Sequence, residues 1–118
     1  MPIISRNPAT EEILATFEEI TPAKVQEKLE IAQNGYRYWK NTSFEDRTEF
    51  MLKLGFLFRE KRDMLAHTIA SEMGMPVSQA AAEVEKCAAV IEFYAQNSEK
   101  FLSPEVIDVG AKENYISF

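Results

Sequence analysis

From Val77 to Leu102 small or apolar residues recur at helical spacing, at Ala80, Val84, Cys87, Ala88, Ile91, Tyr94, Ala95, Ser98, Phe101 and Leu102. Steps of three and four put these positions on one stripe, so the run reads as a single long amphipathic helix. Its small residues, Ala80, Ala81, Ala82, Ala88 and Ala89, allow a neighbouring element to approach closely. Ser103-Pro104 stops it, because proline cannot continue the hydrogen-bond ladder. Whatever else the chain forms has to be arranged around this helix.

The segments before it are shorter. Ile3 to Ser5 and Ile13 to Phe17 flank Asn7-Pro8-Ala9-Thr10 and read as a hairpin, since Asn-Pro favours a turn. Thr21-Pro22 opens a first helix with a capping hydroxyl and a proline where a missing N–H costs nothing. Val25, Leu29, Ala32, Tyr36 and Trp39 form its apolar stripe, and Gly35 inside that stripe either costs the helix about 1 kcal/mol relative to alanine or marks a close helix crossing. Ser43 with Asp46 resembles a capping box, which predicts a second helix from Phe44 with Phe50, Met51, Leu54, Leu57 and Phe58 on its apolar side.

A pattern running on to Met73 would be too long for one helix, so a break is expected near Arg62-Asp63, with Asp63 capping the next piece. Leu65, Ile69 and Met73 form the expected buried face of that third helix, and Gly74-Met75-Pro76 ends it. Beyond the long helix, Val106, Val109, Tyr115, Ile116 and Phe118 read as strand residues around a Gly110 turn. A chain ending on an apolar strand residue leaves an unpaired edge, as if the structure continued. The fold class is mainly α with short β hairpins (α+β).

Charge narrows the partners. Thirteen Lys and Arg against nineteen Asp and Glu leave a net charge of −6, which disfavours phosphate backbones and anionic lipid. The densest basic cluster, Arg59, Lys61 and Arg62, is interrupted by Glu60 and followed by Asp63, the pattern of a solvated helix face. A single cysteine excludes an internal disulfide and a multi-cysteine metal site and suits a reducing compartment. No apolar run approaches the roughly 20 residues needed to span a bilayer, and Met1 to Arg6 lack the features of a signal peptide. A cytoplasmic protein with neither nucleic acid nor membrane as partner is expected.

Residues able to carry chemistry are sparse. His67, the only histidine, falls on a helix beside Ala66 and Thr68, where a surface or half-buried position is expected. Cys87 lies between Val84 and Ile91 on the apolar stripe, a setting that keeps a thiol protonated and inert. Lys86 points about 100 degrees away around the helix and activates it weakly. Glu83 and Glu85 cannot face each other, and the four isolated glycines make no phosphate loop. Tyr36, Tyr38 and Trp39 read as packing aromatics, because no basic groove accompanies them. No catalytic, cofactor-binding or metal-binding residue is assigned.

Several segments together resemble the amino-terminal region of the aldehyde dehydrogenase superfamily, most of all its succinate-semialdehyde dehydrogenase branch. They are Asn7-Pro8-Ala9-Thr10 with Ile13 to Phe17, Tyr38-Trp39-Lys40 with Thr42 to Arg47, Glu72-Met73-Gly74 with Pro76, Glu83 to Ala88, Tyr94-Ala95, and Phe101-Leu102. They follow the family's order and spacing over almost the whole chain. Two positions depart from it: Glu11 stands where the family usually has glycine, and Met75 where lysine is common.

The resemblance implies an oligomeric NAD- or NADP-dependent oxidoreductase in which a thiolate attacks the aldehyde, hydride passes to the nicotinamide, and a glutamate-activated water releases the acid. It also implies that this nucleophile, the glutamate, the oxyanion-hole asparagine and the coenzyme-binding lysine lie downstream, and that Cys87 does not correspond to the nucleophile. By the same resemblance, residues 1–104 form the hairpin and helices that buttress the coenzyme-binding domain, and residues 105–118 begin the bridging and oligomerisation hairpin.

The chain is thus expected to be a truncated amino-terminal portion of such an enzyme. It would be inactive alone, would bind no cofactor itself, and would self-associate through apolar helix faces or its terminal strand. The competing expectation is a stand-alone helical module for self-association or protein interaction.

Overall fold

The structure is a computed structural model that describes residues 2–107 and 115–117. Its elements are β1 (Ile3–Arg6), β2 (Ile13–Phe17), α1 (Pro22–Trp39), α2 (Phe44–Glu60), α3 (Arg62–Met73), α4 (Val77–Leu102), β3 (Glu105–Val106) and β4 (Tyr115–Ile116). The helical boundaries follow the local signals in the sequence. The expected Gly110 turn and the strand positions Val109 and Phe118 lie outside the described residues.

β1 and β2 pair antiparallel, with Ile3 opposite Phe17 and Ser5 opposite Ala15, and the register shifts between Ser5 and Arg6. The Asn7 side chain accepts from the Ala9 N–H at 2.9 Å, which is how asparagine stabilises a turn locally. Glu11 has a φ of 64°, a left-handed conformation that glycine adopts without strain. Arg6 holds the strained residue by donating to the Glu11 carbonyl at 3.0 Å.

Each helix start is built as its sequence suggests, with one exception. Thr21 Oγ1 accepts from the Lys24 N–H at 3.3 Å. Ser43 and Asp46 form a reciprocal capping box, with the Asp46 N–H donating to Ser43 Oγ at 3.0 Å. The α2–α3 break falls at Lys61, but Asp63 does not cap α3. Lys61 occupies the cap position without a side-chain hydrogen bond, and Asp63, already inside the first turn, pairs with Arg62 at 3.0 Å. Gly74 closes α3 in the left-handed conformation at φ 68°, its N–H donating to the Ala70 carbonyl.

α2 and α3 pack along α4, and the interior between them is made of small groups. Among the described residues the buried apolar ones are Ala66, Ala80, Val84, Ala88 and Ala95, joined by Gly55. The close crossing is at Gly55, not Gly35. A Cβ on Gly55 would lie 3.1 Å from Glu92 Cγ and 3.6 Å from the Ala88 carbonyl oxygen, whereas one on Gly35 would meet nothing within 4 Å. Polar contacts tie the same pair of helices. The Thr48 hydroxyl donates to the Ala95 carbonyl at 3.0 Å, and Arg59 bridges Glu85 and Glu92.

The expected large core residues are mostly not in the core. α1 buries no residue: Leu29 and Tyr36 remain 59% and 63% exposed. Met73 on α3 and Phe50 on α2 are exposed as well, while Leu65, Ile69, Met51 and Phe58 are half-buried. The hairpin touches the helices at the end of α3, where Ser5 Oγ donates to Glu72 at 3.2 Å and Pro8 lies against Gly74. No helix among the described residues is long and apolar enough to cross a membrane.

Candidate functional site

Cys87 is exposed, against the expectation that it would be buried on the α4 stripe. The face of α4 that meets α2 and α3 runs through Ala80, Val84, Ala88 and Ala95. Cys87 falls to one side of that line, about 100 degrees from Ala88 and about 60 degrees from Val84 around the helix. It lines an open groove of ≈ 290 Å³ with Phe58, Lys86, Val90 and Ile91. Lys86 is committed elsewhere: its Nζ lies 2.5 Å from Glu83 Oε2, and that hydrogen bond raises its pKa above the ordinary lysine value. The groove is apolar apart from that cation and the thiol.

The other candidate groups are scattered or structural. His67 is exposed on α3. Glu83 pairs with Lys86, and Glu85 with Arg59 at 3.2 Å, so each carboxylate serves a cation on a helix surface. Arg59 is exposed, as its basic cluster suggested, and Glu92, the larger influence, then Glu85 raise its pKa above the ordinary arginine value. Among the described residues no group of three or more His, Cys, Asp or Glu could hold a metal ion.

A second concavity opens where α1 ends, α2 begins and α4 runs out. This cleft of ≈ 250 Å³ is lined by Trp39, Phe44, Met51, Tyr94 and Leu102, with Arg47, Thr48 and Ser98 among them. The Arg47 guanidinium organises it. Nε donates to Thr42 Oγ1 at 2.9 Å, and NH2 donates to the carbonyls of Trp39 at 3.1 Å, Lys40 at 3.3 Å and Thr42 at 3.1 Å. The same cation lies 5.8 Å from the Trp39 ring and 5.7 Å from the Phe44 ring, and Trp39 leans on Phe50 with centroids 5.9 Å apart.

Thr48 and Ser98 already donate to the carbonyls of Ala95 and Tyr94. The cleft therefore presents mainly apolar and aromatic surface, with the Arg47 cation among its lining residues. Sequence patterns had not singled out Arg47 as the organiser of this corner. Its spacing from Thr42, five residues across a helix start, carries no general signal.

The description of the aldehyde dehydrogenase family matches residues 2–118. The chain is 34% identical, over 118 residues, to the probable NADP(+) succinate-semialdehyde dehydrogenase of Synechocystis sp., a match covering 100% of the chain and 26% of that protein. It is 34% identical over 122 residues to the NADP(+) succinate-semialdehyde dehydrogenase of Mycobacterium avium, again covering 100% of the chain and 26% of the relative. Among solved structures, the succinic semialdehyde dehydrogenase of Streptococcus pyogenes in complex with NADP+ is similar with a TM-score of 0.87 at 26% identity. That match covers 95% of the chain and 25% of the enzyme. The chain spans about a quarter of the length of the curated relatives it matches. None of these matches favours a stand-alone interaction module.

Proposed function

The chain belongs to the aldehyde dehydrogenase family, and from that membership we propose that it supplies the amino-terminal helical part of an NADP-dependent succinate-semialdehyde dehydrogenase. In the whole enzyme the reaction oxidises an aldehyde to a carboxylic acid. The observation that carries this reading is the match along the entire chain to dehydrogenases named for that substrate and coenzyme.

Residues 1–104 buttress the coenzyme-binding domain and residues 105–118 begin a bridging hairpin. The chain contributes support and no reactive group: Cys87 is not the nucleophile, and the residues that bind coenzyme and activate water lie in the rest of the enzyme. Support for this comes from a core of alanines with large apolar side chains left outside it. By itself the chain is inactive, binds no coenzyme, and self-associates through its apolar helix faces or terminal strand. A reducing cytoplasm suits the exposed Cys87 thiol.

The test is a chimera in which this chain replaces the matching quarter of the Synechocystis relative. NADP-dependent oxidation of succinic semialdehyde should persist, and should survive Cys87→Ser. A folded chimera without activity, or one that Cys87→Ser silences, would overturn the proposal.

A further inference from the structure

We draw no further inference here: the strongest candidate, the apolar groove beside α4 lined by Phe58, Cys87, Val90 and Ile91, holds a lone thiol with no second feature that points to a ligand, and nothing in the structure shows what covers it.

Discussion

A Cβ built on Gly74 would sit 2.9 Å from Pro8 Cγ, at a backbone φ of +68°. Both facts act against any side chain there, because left-handed backbone costs an L-residue about 1–2 kcal/mol and the proline ring of the hairpin turn would have to move. Gly35 is the opposite case, a glycine inside a helix with open space where a Cβ would go. Gly74→Ala should lower stability by about 1–2 kcal/mol, and Gly35→Ala should raise it by up to about 1 kcal/mol. Urea titrations followed by circular dichroism measure both, and shifts in the same direction would contradict the assignment.

Single residues also show what could be foreseen from the chain alone. Gly74 was legible as a cap because glycine before Met-Pro has a local meaning. Glu11 adopts a positive φ that no glycine or asparagine in the turn announces at that position. Cys87 was misplaced because apolar neighbours at helical spacing define a broad stripe, while burial follows the narrower line that faces a partner helix.

At the scale of elements, the capping box at the start of α2 is the most self-contained unit. Hydrogen bonds from Ser43, the hydroxyl first and the backbone N–H second, hold the Asp46 carboxyl below its ordinary value of 3.8. A group whose folded pKa is lowered contributes stability above its unfolded pKa, and that contribution disappears as pH falls through the folded value. Stability should therefore hold from neutral pH down to about 4, then decline through the window below it as Asp46 protonates. Ser43→Ala should lose about 1 kcal/mol at neutral pH, the usual effect of removing a cap, and should show a shallower acid decline. Urea midpoints at a series of pH values measure this, and equal acid sensitivity in the two proteins would count against the box.

Element boundaries were readable because caps, prolines and glycines act within a few residues. The choice of buried face was not, since it depends on elements far along the chain. The α1 stripe from Val25 to Trp39 is regular, yet α1 buries nothing. The α2–α4 crossing at Gly55 could not be inferred either, because a lone helical glycine reads the same whether or not another helix lies over it.

The whole molecule is open for its size. Its accessible surface is 9757 Å², where a compact protein of its mass would expose about 6,500 Å². Its radius of gyration of 20.7 Å exceeds the about 13–14 Å expected of a compact domain of this length. Exposed apolar surface on this scale favours association. Sedimentation of the purified chain should therefore show oligomers that grow with concentration, and a monomer at every concentration would contradict this.

The candidate cleft around Arg47 was not readable in the sequence. Its walls combine the local α1–α2 junction, tied by Arg47, with α4, which reaches α2 from far along the chain.

The most direct test of a supporting, non-reactive role is to incubate the purified chain, shown by circular dichroism to be helical, with succinic semialdehyde and NADP and follow NADPH fluorescence. No NADPH should accumulate above the protein-free control. Sustained accumulation that disappears in Cys87→Ser would contradict the account.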